Sequence, residues 1–168
     1  MAVRLARRDE AVLIPAIEDD AGRRFLGTHI EPMLDTESGG GHDLEPMIEA
    51  GNLWVATDAA DTAIGFAATS EEGGYLYIHE LDVALDHQGR GHGRALLDAV
   101  VAEARRRGLA GVSLTTDRTI AWNRPFYERY GFMLLDDDEV PAALRAHLDD
   151  EISRGHDRSW RCAMVLRV

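Results

Sequence analysis

Apolar and polar positions recur along the chain with two different periods, and the change of period predicts the order of its elements. Residues 94–107 repeat apolar positions at helical spacing and end in three arginines before Gly108, which predicts an amphipathic helix. Shorter apolar or alternating stretches bounded by Gly, Asp or Asn predict strands. The predicted strands are 3–6, 53–57, 62–69, 75–83, 112–116, 132–135 and 159–168, and the other predicted helices are 9–17, 44–50, 121–130 and the middle of 136–151.

Three of the predicted strands follow one another closely between residues 53 and 83, as in an antiparallel meander, and a helix and further strands come after them. The sequence therefore predicts an α/β or α+β layered fold, with a mixed, mostly antiparallel central sheet and helices on both faces. Asp9 is the expected N-cap of a helix that Pro15 kinks, and residues 38–43 are expected to form a flexible loop. Without an internal repeat or a clear linker, residues 1–168 are expected to form a single domain.

The composition is that of a globular protein in water, since 45% of the 168 residues are hydrophobic and 29% are charged. No apolar run approaches the ~20 residues of a membrane-spanning helix, and charged residues interrupt the amino-terminal segment. Neither a membrane segment nor a secretory signal is expected. The sequence thus predicts a cytoplasmic protein with no membrane partner.

The charge balance is strongly acidic, because the 18 basic residues, all arginine, are outnumbered by 30 acidic residues, for a net charge of −12. Such a surface repels polyanions, so a nucleic-acid partner is not expected, a cationic partner suits the field, and an anionic ligand needs a local cluster of donors. Cys162 is the only cysteine and lies on the apolar side of the last predicted strand, which excludes an intrachain disulfide and indicates a buried thiol. The histidines have no ligand-like spacing, so no metal site is predicted.

The stretch 86–94 joins a strand that ends near Val83 to the strongest predicted helix. Its three alternate glycines let successive backbone N–H groups turn inward at a helix N-terminus, and its two arginines add positive charge, so the stretch predicts a pyrophosphate site. The alternative is a flexible turn with two solvated arginines. The glycines are Gly89, Gly91 and Gly93, and the arginines are Arg90 and Arg94.

Two common phosphate-binding motifs fit this stretch less well. A dinucleotide-binding fingerprint would place its third glycine at position 94, which is arginine, so a Rossmann-like redox domain is only the third alternative. A P-loop requires a lysine, and the sequence contains none.

Residues 88–93, with Gln88, Gly91 and Gly93, resemble the acyl-CoA signature Gln/Arg-x-x-Gly-x-Gly/Ala of the GCN5-related N-acetyltransferase (GNAT) superfamily. Residues 78–83 resemble the superfamily's strand that pairs with pantetheine, and residues 123–132 resemble its Asn, Tyr and Gly-Phe segment. The resemblance covers roughly residues 75–135 and implies acetyl-CoA as co-substrate, without a metal. The cofactor-binding residues that it implies are Leu81, Asp82, Val83, Gln88, Gly89, Arg90, Gly91, His92, Gly93, Arg94, Asn123 and Tyr130.

Acetyl transfer from a thioester to an amine needs a neutral amine, a polarised carbonyl and a proton for the leaving thiolate. Asn123, Tyr127 and Tyr130 share one face of a predicted helix. The resemblance implies that Tyr127 is the general acid toward the CoA sulfur. The alternative is aromatic packing, which is favoured for Tyr130.

The general base has more than one candidate. Alternation along the strand places Tyr77 and His79 on one face and Glu80 on the other, and relatives have a base at the positions of Tyr77 or His79. An imidazole can accept a proton near neutral pH, but His79 is equally well explained as a hydrogen-bonded strand histidine. Glu80 is the competing base, or an anchor for a cationic substrate. The family commonly has a bulge at about this point of the strand, which would free a backbone N–H near residues 81–83 for the thioester oxygen.

Two remaining expectations concern the surface. His87 and His92 are expected to face solvent, and the acidic stretches 136–139 and 149–151 form either a rim that concentrates amines or a solvated acidic face.

Together these features predict an N-acetyltransferase that moves the acetyl group of acetyl-CoA directly to a small cationic primary amine, in a ternary complex without an acyl-enzyme. The alternatives are an inactive acyl-CoA-binding sensor and an acetyltransferase for protein or peptide N-termini. A homodimer is compatible with the resemblance, because dimers are common among relatives.

Overall fold

The computed structural model describes residues 2–37 and 44–168, so the loop predicted at 38–43 lies outside the described residues. Seven strands and six α-helices lie within those two ranges. The strands are β1 (Ala2–Leu5), β2 (Leu53–Thr57), β3 (Ala63–Glu72), β4 (Tyr75–Val83), β5 (Gly111–Asp117), β6 (Met133–Leu134) and β7 (Arg161–Arg167). The helices are α1 (Ile14–Gly22), α2 (Glu31–Glu37), α3 (Leu44–Glu49), α4 (His92–Arg106), α5 (Arg124–Tyr130) and α6 (Ala142–Ser153).

The strands form one sheet in the order β1-β2-β3-β4-β5-β7-β6. β4 and β5 run parallel, whereas β2 is antiparallel to both β1 and β3, and β7 is antiparallel to both β5 and β6. The predicted mixed, mostly antiparallel sheet is therefore confirmed. No helix in the described part of the chain is both long and apolar enough to cross a bilayer.

Two predicted helix starts are wrong. Asp9 is not an N-cap, because Arg8–Leu13 forms a 3-10 turn and α1 begins only at Ile14. Pro15 does not kink α1 but lies in its first turn, where a missing N–H breaks no intrahelical bond. For the same reason Pro125 marks the start of α5, which begins at Arg124 rather than at residue 121.

The chain forms two compact units, of which the first comprises residues 1–70 and 79–102. In its core, α1 packs against β2 and β3, and the predicted apolar stripe of α4 is buried. Burying each large apolar side chain contributes roughly 1.5–3 kcal/mol, so these contacts fix α1 and β3 firmly. The core residues of this unit include Ile14, Ile17, Leu53, Val55 and Phe66.

The second unit comprises residues 71–78 and 103–168. Its core joins β4 and β7 to α6 and contains Tyr77, Leu144, Leu148 and Val165. The acidic stretch that was predicted to have a helical middle thus supplies α6, whose apolar face is part of this core.

Candidate active site

The glycine stretch follows the end of β4 through a 3-10 turn at Leu85–His87 and leads into α4. Gly89 has a φ of 72° and Gly91 a φ of 91°, both in the left-handed region that favours glycine. A Cβ at either position would meet no protein atom within 4 Å, so the space on that side of the loop is open. The first N–H groups of a helix have no acceptor within the helix, and here they adjoin this open space.

The electrostatics of the loop also suit an anion. Arg90 and Arg94 are exposed, and so are Gly89 and Gly91. Two exposed arginines therefore adjoin, in sequence, the backbone donors at the positive end of the α4 dipole. This arrangement can hold a pyrophosphate in a protein whose net charge is −12.

The expectation that His92 faces solvent is wrong. His92 is only 8% exposed, and its burial, with a smaller effect of His87 and Arg90, lowers the pKa of its imidazole. His92 lies four residues before Leu96, on the buried stripe of α4, and this spacing explains its burial. His87 is half buried, and its ring meets that of His92 edge to face with centroids 6.2 Å apart.

Nδ1 of His92 has no hydrogen-bond partner among the described residues. A buried imidazole with a lowered pKa is neutral at physiological pH. Its contribution to the loop is therefore packing rather than charge.

The end of β4 is held closely by β3. A Cβ at Gly65 would stand 2.7 Å from the carbonyl oxygen of Asp82 and 3.1 Å from Cγ2 of Val83, so only glycine fits there. The N–H of Ala84 donates to the carbonyl of Ile64 at 2.8 Å. Leu81 and Asp82 are half buried and Val83 is buried, while the predicted free N–H in this region stays a prediction.

The carboxyl of Asp82 lies in an unfavourable environment for a charge. Burial, together with the carboxylate of Glu18 on α1, raises its pKa above the ordinary value of an aspartate. This part of β4 therefore has an electrostatic cost that the fold tolerates.

The two candidate bases on β4 are His79 and Glu80. Nε2 of His79 lies 2.7 Å from Oγ of Ser70 on β3, and the hydrogen bond fixes the orientation of the ring. A hydrogen-bonded histidine is thus what the structure contains, and the bond is compatible with a role as base. Glu80 is half buried.

Tyr77, the other position at which relatives have a base, is not suited to that role. It is 4% exposed, and its burial raises the pKa of the phenol well above the ordinary value. Its hydroxyl lies 3.0 Å from Oγ1 of Thr115, and its ring stacks on that of His147 with centroids 3.9 Å apart. These contacts make Tyr77 part of the core.

The predicted tyrosines pack against phenylalanines. Tyr127 is half buried, and its ring meets those of Phe126 and Phe132 edge to face, with centroids 5.1 and 5.5 Å apart. Tyr130 is also half buried, and the centroid of its ring lies 6.0 Å from that of Phe132. Aromatic packing is therefore present at both tyrosines, and Tyr127 has two aromatic neighbours.

Asn123 is not inside α5, as the predicted helix implied, but directly precedes it. Its carbonyl accepts the N–H groups of Phe126 at 2.9 Å and Tyr127 at 3.4 Å. The backbone of Asn123 thus starts the helix that carries Tyr127.

The acidic segment is not a uniform rim. Glu151 binds Nη2 of Arg161 at 2.5 Å and its Nε at 2.8 Å, and it accepts the hydroxyl of Thr115 at 2.5 Å. Arg161 is only 9% exposed. Glu151 therefore forms an ion pair with Arg161 that is part of the fold. Residues 136–139, in contrast, are exposed.

Cys162 is buried, and burial raises the pKa of its thiol, so it does not supply a ready thiolate. Within residues 2–37 and 44–168, no three His, Cys, Asp or Glu side chains are grouped closely enough to hold a metal ion.

Sequence comparison identifies the family. A family model described as an acetyltransferase (GNAT) domain matches residues 49–134, which include the glycine loop and α5. The chain is also 35% identical over 113 residues to a mycothiol acetyltransferase from Propionibacterium freudenreichii. That alignment covers 62% of this chain and 36% of the relative, so the chain spans about a third of the length of that protein.

Solved structures show the same fold. PaiA N-acetyltransferase from Thermoplasma acidophilum, in complex with coenzyme A, matches with a TM-score of 0.74 and 14% identity over 99% of this chain and 98% of that chain. N-acetylglutamate synthase from Neisseria gonorrhoeae, with coenzyme A and N-acetyl-glutamate, matches with a TM-score of 0.69 and 23% identity over 99% of this chain and 34% of that chain. Since the family model matches residues 49–134, just over half of the 168 residues, the chain belongs to the GNAT family of acetyltransferase domains.

Proposed function

We propose that this protein transfers the acetyl group of acetyl-CoA to a primary amine of a small cationic molecule, by direct transfer in a ternary complex. Acyl-CoA is the co-substrate of the GNAT family to which the chain belongs. The observation that carries the proposal is the open glycine loop, in which Gly89 and Gly91 have positive φ at the start of α4.

The loop would bind the pyrophosphate of acetyl-CoA through its backbone N–H groups, with Arg90 and Arg94 adding charge. Their exposure supports this assignment. Residues 81–83 would pair with pantetheine, as the family resemblance implies, and a backbone N–H there would polarise the thioester carbonyl.

In the chemical step, the amine nitrogen attacks the thioester carbon, a C–N bond forms, and the C–S bond then breaks. Tyr127 would donate its phenolic proton to the leaving sulfur, and His79 or Glu80 would accept the proton that the amine loses. The hydrogen bond between Oγ of Ser70 and Nε2 of His79 supports His79 as an oriented base. Comparing His79→Gln with Glu80→Gln across pH separates them, because only loss of the true base removes the acid limb of the rate profile.

The acceptor is proposed to be cationic because the net charge of −12 attracts cations and residues 136–139 present exposed carboxylates. Glu151 is left out of this acceptor rim because of its pair with Arg161, and Asp137 is left out because its carboxylate pairs with Arg158 at 2.6 Å. The relative named for mycothiol adds its own acceptor as a second class to test. A cytoplasmic location and a homodimer belong to the same proposal.

The experiment is an assay of thiol release from acetyl-CoA across polyamines, aminoglycosides, arylalkylamines, amino acids, short peptides and the acceptor of the mycothiol relative. Turnover with a small cationic amine is the expected result. Turnover only with peptides would instead favour the N-terminal acetyltransferase, and CoA binding without any turnover would favour the sensor.

Tyr127→Phe tests the chemical role. We expect kcat to fall about a hundredfold, because general acid catalysis contributes at least that much, while CoA affinity stays the same. Tyr75→Phe is the control, since it removes one phenol at a residue of β4 that is assigned no role in catalysis or CoA binding. Full activity in Tyr127→Phe would remove Tyr127 from the mechanism.

A further inference from the structure

Two side chains near the end of α1 bond to the segment that connects β4 to the glycine loop. Oδ2 of Asp20 accepts the N–H of Leu85 at 2.8 Å. Nη1 of Arg24 donates to Oε1 of Gln88 at 2.7 Å. Asp20 and Arg24 are about one helical turn apart, so a single short piece of chain holds two separate points of the connecting segment.

Gln88 is bonded at both ends of its amide. Its Nε2 donates to the carbonyl of Val83 at 2.9 Å, while its Oε1 accepts from Arg24. The side chain therefore bridges the last residue of β4 and Arg24, in the 3-10 turn Arg23–Phe25 that follows α1. In this structure both polar atoms of the Gln88 amide are hydrogen-bonded within the protein.

The Asp20 bond is also electrostatically significant. The N–H of Leu85 is the main cause of the lowered pKa of Asp20, and Arg23 adds a smaller effect. The carboxylate is thus held ionised, which makes it a strong acceptor for that N–H.

The glycines of the loop explain why the bonds at Leu85 and Gln88 matter for ligand binding. The loop has positive φ at Gly89 and Gly91, and glycine loses more backbone entropy on ordering than other residues. A loop that must be ordered by its ligand binds more weakly than one that is ordered beforehand. Bonds at Leu85 and Gln88 fix the residues that lead directly into the glycines.

We infer that Asp20 and Arg24 are positioning residues for the acyl-CoA site, which hold Leu85 and Gln88 so that the glycine loop is formed before acyl-CoA binds. The inference rests on the proposed function for the identity of the ligand. It assigns part of the affinity for acyl-CoA to the last turn of α1 and to the 3-10 turn that follows it, more than 60 positions before the loop in sequence.

The test is calorimetric titration of the whole chain with CoA. Arg24→Ala should weaken CoA binding roughly tenfold, because a charge-assisted bond is lost, while the melting temperature of the free protein stays within about two degrees. Arg24→Lys should recover much of the affinity, because the ammonium group can still donate to Oε1 of Gln88. Once an acceptor is known, the KM for acetyl-CoA should rise and kcat should not fall.

The matched control is Arg23→Ala, which removes the same charge from the adjacent exposed position. It should change CoA affinity less than about twofold, because Oδ2 of Asp20 can still accept the N–H of Leu85. In addition, the losses of CoA affinity in the double variant of Arg24→Ala with Gln88→Ala should not add up, because either single change already breaks the bond between the two side chains.

An equal loss in Arg23→Ala and Arg24→Ala would overturn the inference, because it would reduce the effect to net charge. Unchanged affinity in Arg24→Ala would overturn it as well. If the wild-type chain itself failed to bind CoA, the proposed function would fall along with the anchor. If the wild type bound CoA and Gly91→Asp did not, the assignment of the glycine loop as the CoA site would stand. The result for Arg24→Ala would then decide only whether Asp20 and Arg24 are positioning residues.

Discussion

The glycine loop and the acidic segment at residues 136–151 are both rich in charge, yet the structure uses them in opposite ways. In the loop, Gly89 and Gly91 have open space beside them, and the arginines are exposed. In the acidic segment, Leu144 and Leu148 lie in the core. Charge density alone therefore does not identify a site.

Glu151 of the acidic segment shows how the two regions differ. Glu151 binds Arg161 and Thr115, so its polar atoms are used by the fold itself. The backbone donors at the start of α4 have no acceptor within the helix. Groups whose partners are provided by the fold stabilise it, whereas aligned donors beside open space can bind a ligand.

The largest expected effect comes from filling the loop. Gly91→Asp adds a side chain and a negative charge where a pyrophosphate is expected, so CoA affinity should fall at least about a hundredfold. Calorimetric titration measures the loss.

Gly108→Asp is the matched control for this change. Gly108 has a φ of 70°, and a Cβ there, as at Gly91, would meet no protein atom within 4 Å, so the backbone strain is comparable. Its CoA affinity should equal that of the wild type. A similar loss in both variants would mean that strain, and not the loop, controls binding.

The second prediction concerns the acidic segment. Glu151→Gln removes the charge that pairs with buried Arg161 and should lower the free energy of unfolding by about 3 kcal/mol. Urea denaturation measures the change.

The control for Glu151 is Asp150→Asn, because the pair of Asp150 with Arg154 is about half exposed on both sides. Its effect should stay within about 0.5 kcal/mol. If Glu151→Gln kept full stability but raised the KM of a cationic acceptor, Glu151 would belong to the acceptor rim and the comparison would break.

The smallest predicted effect separates two carboxyls by the sign of their pH dependence. The pKa of Asp82 is raised by burial and Glu18, so the folded state binds its proton more tightly than the unfolded state does. Stability is therefore lost as pH rises above the ordinary value of about 4. Asp82→Asn should gain in melting temperature relative to the wild type as pH rises from about 4 to about 8, by a few degrees.

Glu103 provides the opposite case, because hydrogen bonds from Arg106, and then Arg107, lower its pKa to about 2. The stability that Glu103 contributes is present at pH values above its ordinary pKa of 4.5 and is lost as the pH falls toward 2. Glu103→Gln should therefore lose melting temperature relative to the wild type at neutral pH and approach it in acid. The same trend in both variants would contradict the assigned environments.

The elements near the glycine loop could be predicted from the sequence because their signals are local. The bounds of β4 match the prediction at both ends, and those of α4 differ by two residues at its start and by one at its end. Alternate glycines at a strand-to-helix junction define an anion site over a few residues. Local spacing could also have revealed the burial of His92, since it lies on the stripe of Leu96.

The remaining features depend on partners distant in sequence. Gln88 bonds to Arg24 and Tyr77 to Thr115, and neither pairing leaves a pattern along the chain. The ion pair of Glu151 with Arg161 has the same character, which is why an acidic run suggests a surface rim when only the sequence is considered. Asp9 failed as an N-cap because Pro15 provides a competing helix start a few residues later.

The most direct test of the comparison is an NMR titration of the ¹⁵N-labelled chain with CoA, following backbone amides. The account predicts that the largest shifts occur at Gly89, Gly91, Gly93 and Arg94, while the amides of residues 136–151 stay nearly unchanged. Largest shifts within residues 136–151, or none in the glycine loop at saturation, would contradict it.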